Sequence, residues 1–160
     1  MYFERGLVIT MTMNESFQLI AAFTGSAGFA LAYNFRGARH ILMAGFGGFL
    51  GWLCYLLVMH ASGNEYLAGY AGTLLVSVYS EIAAKVLRTP ATGLLIVTSI
   101  PMIPGAALYR CMRHLLLSES ALFRQEGTYT VLFASSMAAG FVTSAILFQL
   151  IRSANRETTA

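Results

Sequence analysis

The apolar residues of this chain gather into long continuous stretches separated by short clusters of charged and turn-forming residues. None alternates with the period of two expected of a half-buried strand. The pattern predicts five segments, at about 17–33, 41–59, 66–86, 91–109 and 129–151. Each lies near the ~20 residues that a helix needs to cross the hydrocarbon core of a bilayer. A β-barrel would instead show alternating segments of about ten residues. The expected fold is an all-α integral membrane protein, a single transmembrane domain over residues 1–160. Four to five helices form the bundle, one of them broken by proline and glycine. An apolar but interrupted stretch at residues 7–13 precedes the first segment, and Met1-Tyr-Phe-Glu-Arg5 is not a strongly positive lead-in. No small-residue cleavage site follows it, so a removed signal peptide is not expected.

Two segments carry internal features. The second holds Gly45, Gly47, Gly48 and Gly51, which on a helix form a smooth face that another backbone can approach. The fourth follows Arg88-Thr-Pro90 and contains Ile100-Pro-Met-Ile-Pro-Gly105. Two prolines remove two backbone donors, so this helix should break near its middle or end. Beyond it, Arg110, Arg113 and His114 fall near one another on a basic amphipathic continuation to Leu117.

Composition strengthens the membrane reading: 57% of the 160 residues are hydrophobic and only 11% charged, against roughly a quarter charged in a soluble domain. The net charge of +3 is spread as small basic groups between the apolar runs, which carries topology information and not a nucleic-acid face. With five crossings, Arg36/Arg39, Lys85/Arg88 and Arg152/Arg156 share one side, and the mixed segment with Arg110, Glu119 and Glu126 lies on the other. The positive-inside tendency then puts the C-terminus in the cytoplasm and the chain in the cell (inner, cytoplasmic) membrane.

No nucleotide loop, catalytic triad, paired-carboxylate arrangement or zinc-ligand spacing is present, so neither an enzyme nor a metal or cofactor site is expected. Cys54 and Cys111 read as packing thiols, His40, His60 and His114 as interfacial residues, and Trp52 as a packing residue. Chemistry is expected where lipid makes a feature costly. Glu81 is the only carboxylate inside an apolar run, with Lys85 four residues on. Two readings fit it: a helix-end pair with Lys85, or a proton-carrying or substrate-facing carboxylate. At the break, freed carbonyls and a new helix start offer what transporters use to hold ions and carboxylates near mid-membrane; a plain kink is the other reading. The path candidates are thus Glu81, Lys85, Ser99, Pro101, Pro104, Gly105 and Tyr109. Tyr70, Tyr79, Thr73, Ser77 and Thr98 supply further hydroxyls that line a polar path or bridge helices.

Gly28-Phe-Ala-Leu-Ala-Tyr-Asn34 with Arg39-His40, Ser80-Glu-Ile-Ala-Ala-Lys85 with Arg88-Thr-Pro90, and Ile100-Pro-Met-Ile-Pro-Gly105 with Tyr109 resemble the threonine/serine exporter family. The resemblance runs from about Gly25 to Ile151 and is closest to the family's short, membrane-only subunit, the counterpart of the C-terminal half of the fused exporters. It implies export of small polar metabolites: threonine and serine or, in two-subunit members, a dicarboxylate such as succinate. It also implies coupling to protons and a larger partner subunit similar to the N-terminal half. Pro90, Pro101, Pro104, Gly105 and Tyr109 carry over as motif positions. Self-association of copies is compatible with the glycine face. The alternative is a non-transporting scaffold that stabilises a partner in the bilayer.

Overall fold

The computed structural model describes residues 13–157; the readings of the lead-in and of residues 7–12 lie outside the described residues. Six α-helices follow in order: α1 Met13–Ala32, α2 Ala38–Ser62, α3 Glu65–Leu87, α4 Ala91–Ser99, α5 Gly105–Leu116 and α6 Ser120–Glu157. A 3-10 turn, Ile100–Met102, continues α4. The described residues form no strand.

The helix ends are set by local chemistry. Gly63 takes the left-handed conformation after α2, and its N–H bonds the Met59 carbonyl at 2.8 Å. Asn64 then caps α3, its side-chain oxygen accepting from the N–H groups of Tyr66 and Leu67. Arg88 closes α3 in the left-handed region, Thr89 N–H reaches back to Ala84 O at 3.0 Å, and Pro90 begins the next element.

Helices α1, α2, α3 and α6 pack in that order, each on the next, while α4 and its 3-10 turn lie against α1, α2 and α3. Among the described residues α5 packs on α6 and on no other helix. Lipid supplies little hydrophobic drive between helices, so these contacts depend on small residues and close fit. Gly48 meets Ser26 and the Ala22 carbonyl of α1, Gly47 meets Thr98 and Tyr79, and Gly51 meets Val76. The glycine face of α2 is therefore filled by the chain's own helices, not left for a partner. Gly140 of α6 admits Thr73 and lies against the α3 backbone. Phe133, Met137, Gly140 and Ser144, at spacings of four and three, form the buried face of α6 toward α3. Gly69 meets Phe133, Thr73 meets Gly140 and Lys85 meets Phe148, so α3 and α6 run parallel.

Three helices are long and apolar enough to cross a membrane, Ala38–Ser62, Glu65–Leu87 and Ser120–Ile151; the pair Ala91–Met102 and Gly105–Leu116, bent by 60°, makes a fourth if it is one span. α1 has 20 residues and an outward face of Phe17, Ile20 and Leu31, but Asn14, Glu15 and Gln18 make its first turns more polar. α6 begins nine residues before the expected position 129, because residues 120–128 lack proline and continue as helix. The turns after α1 and α3 and the end of α6 thus lie at one end of the bundle. The α2–α3 turn and the α5–α6 turn lie at the other.

Candidate functional site at the broken helix

The break is built from the sequence of the turn. Pro101 sits in the first turn of the 3-10 segment, and Ile103, preceding Pro104, is forced into extended geometry (φ −64°, ψ 128°). Ile103 N–H bonds Ile100 O at 3.1 Å and Gly105 N–H bonds Ile103 O at 2.7 Å. α5 then restarts at Gly105, and no side chain caps its first turn. Its unpaired N–H groups and dipole leave a partial positive charge there. Gly105 needs neither a positive φ nor space, since a Cβ there would meet nothing. The prolines, not the glycine, make the bend. Ser99 turns its hydroxyl back to Ile96 O at 2.9 Å.

Beside the break lies a cavity of about 250 Å³ lined by Gln18, Ala21, Ala22 and Gly25 of α1, Trp52 of α2, and Ile100 and Pro101. Its size falls below the ~300–1,000 Å³ of sites for drug-sized ligands and suits a small metabolite. The Trp52 indole N–H donates to Gln18 Oε1 at 3.2 Å, and the Trp52 ring stacks on Tyr55 with centroids 4.9 Å apart. This bond fixes the Gln18 carboxamide. Its NH₂ group has no hydrogen-bond partner among the described residues and remains for a ligand oxygen.

The other expected residues lie elsewhere. Glu81 is half-buried on the flank of α3 shared with Ser77 and Lys85, and it makes no hydrogen bond or ion pair among the described residues. Lys85 is exposed and places its ammonium 5.7 Å from the centroid of the Phe148 ring, a cation–π contact to α6. The four-residue spacing therefore does not produce the Glu81–Lys85 pair. Tyr109 is 69% exposed, on the side of α5 opposite the buried Ala107, Cys111 and His114. Of the expected path residues Pro101 lines the cavity; Ser99, Pro104 and Gly105 lie at the break without lining it, and Glu81, Lys85 and Tyr109 do not line it either.

Three of the remaining contacts bridge helices, while Thr73 bonds the Gly69 and Tyr70 carbonyls of its own helix. Tyr70 bonds Thr143 at 3.2 Å, Tyr79 donates to Met43 O at 2.7 Å, and Ser80 and Thr98 meet at 3.0 Å. Gln18 is the site residue that sequence reasoning passed over. Its signal is a carboxamide inside an apolar run, a group that costs free energy in lipid unless it is hydrogen-bonded, though less than a carboxylate. Trp52 packs as expected and also lines the cavity.

Comparison with curated proteins and with solved structures gives no match. A family described as "Threonine/Serine exporter, ThrE" matches residues 18–147, from the cavity glutamine through most of α6. Because that match covers most of the chain, whose helices are long and apolar, the chain belongs to the threonine/serine exporter family of membrane transport proteins.

Proposed function

We propose that the chain is the membrane subunit of an exporter coupled to the proton motive force, moving threonine and serine or a small dicarboxylate such as succinate, with the cavity at the break as its substrate site. The observation that carries this reading is the juxtaposition of Pro101, Gln18 and Trp52 around about 250 Å³. A carboxylate, common to all these substrates, would be met in the cavity by the fixed Gln18 carboxamide donor. The trans membrane route is opened and closed at a hinge that lacks two backbone donors, Pro101 and Pro104. Glu81, half-buried with no ion pair among the described residues, is the candidate proton carrier. A larger subunit similar to the N-terminal half of the fused exporters completes the path, since among the described residues α6 packs on α3 and α5 and leaves Val142, Ile146 and Leu150 exposed. The basic groups at the end holding Arg36, Arg39, Lys85 and Arg88 put that end and the C-terminus in the cytoplasm of a cell membrane.

Substrate-loaded vesicles containing the chain with and without the larger subunit test the reading. Efflux of threonine, serine or succinate that needs both chains and an imposed proton gradient is expected. Unchanged retention of all three in the complete complex would leave the chain a scaffold.

A further inference from the structure

Among the described residues His114 is the one His, Lys, Arg, Asp or Glu that is buried, at 7% exposure. It lies on α5 with Ala107 and Cys111, pressed against α6, and its Nδ1 bonds Glu119 Oε2 in the turn between the two helices. The Glu119 side chain is 45% exposed, so one end of the pair meets water and the other is dry. One turn back, Arg110 Nε donates to Glu126 Oε1 at 2.8 Å. Among the described residues α5 packs on α6 and on no other helix, so the charged groups of this seam are Glu119, Arg110 and Glu126, while Arg113 and Arg124 are exposed. The apolar side chains of α5, Leu108, Met112, Leu115 and Leu116, point outward instead. Of the polar side chains of α5, Tyr109, Arg110 and Arg113 are exposed and His114 alone is turned into the seam.

Resting on the proton-coupled reading above, we infer that His114 with Glu119 is a proton-binding site of the transport cycle, at the end of the bundle opposite Glu81. With Nδ1–H held by the Glu119 carboxylate, a proton from water adds to the free lone pair of Nε2, giving an imidazolium, and leaves the same nitrogen when the seam is rearranged. No other bond is made or broken. Loading changes the charge in the only seam that holds α5, and α5 runs as one helix from His114 back to the hinge at Pro104. Proton occupancy is therefore transmitted to the broken span. A coupled exporter needs protonatable groups reachable from each side in turn, and Glu81 and His114 stand at opposite ends.

The test uses inside-out vesicles from native membranes in which the variant gene replaces the wild-type copy, with an acid interior and radiolabelled threonine, serine or succinate outside. In His114→Gln, proton-driven accumulation per folded molecule falls about tenfold while gradient-free substrate exchange is kept. In Glu119→Gln the anion that partners the imidazolium is lost, so the pH profile of accumulation moves to lower pH than in the wild type. This second variant alters an exposed side chain and carries the test if His114→Gln does not fold. Wild-type accumulation with the wild-type pH profile in the variants overturns the site alone. Wild-type vesicles that accumulate substrate without regard to the gradient overturn the proton-coupled reading itself.

Discussion

Replacing Gln18 and Trp52 singly and together separates a structural hydrogen bond from a substrate site. Gln18→Leu removes the acceptor at 3.2 Å and leaves the part-buried Trp52 N–H unpaired, which costs about 1–3 kcal/mol. Trp52→Phe keeps an aromatic ring against Tyr55 and leaves Gln18 facing the cavity, where solvent satisfies it, for a loss nearer 1 kcal/mol. With both partners apolar no donor or acceptor is orphaned, so the double variant should be more stable than the sum of the single costs by about 1–2 kcal/mol. Unfolding in mixed detergent micelles measures this coupling. Flux should follow a different order: both Gln18→Leu variants lose the carboxamide donor, and threonine efflux per folded molecule falls by at least about tenfold in each. Strictly additive stabilities would refute the pairing. Wild-type flux in the stable double variant would refute the assignment of the cavity to substrate.

The remaining predictions concern the hinge, the lone carboxylate and the topology. Pro104→Ala with Gly105→Ala removes penalties of about 3 and 1 kcal/mol against a continuous helix; straightening the 60° bend would carry the far end of 12-residue α5 through ~18 Å. That motion competes with the α5–α6 seam, so transport should fall at unchanged membrane expression, and wild-type flux would leave only a kink. Glu81→Gln should abolish proton-driven flux and spare downhill exchange with abundance unchanged, because no ion pair with Lys85 is lost; unchanged flux per molecule removes Glu81 from the mechanism. A cysteine replacing Thr158 should resist an impermeant thiol reagent in intact cells, and ready labelling from outside overturns the cytoplasmic C-terminus.

What was legible in the sequence was what is local. Continuous apolar runs fix helices and their membrane setting, and Pro101 with Pro104 fixes a break, because a missing N–H acts within one turn. The path beside the break was not legible, since Gln18 and Trp52 are 34 residues apart and meet only because Gly48 lets α2 close onto Ser26 of α1. The spacing of Glu81 and Lys85 suggested a pair, but spacing sets a shared flank and not a rotamer, and the Phe148 ring on α6 takes the ammonium. The glycine face of α2 carried no label for its occupant; Ser26, Thr98, Tyr79 and Val76 of the same chain fill it. With the fifth segment starting at 129, the sequence puts His114 at a span end and shows nothing that would cover it. Once residues 120–128 are helix, they supply the wall that buries the imidazole.

The central claim, that substrate sits in the cavity at the break, is tested most directly by protection of a thiol placed there. Ala21 lines the cavity and is exposed within α1, so Ala21→Cys in a background of Cys54→Ala and Cys111→Ala gives one reporter in native-membrane vesicles. The rate of its alkylation is measured against rising threonine, serine and succinate. The account predicts that the transported compound slows alkylation saturably, with half-protection at the concentration that half-saturates flux. An alkylation rate unmoved by a compound that the same vesicles transport would contradict it.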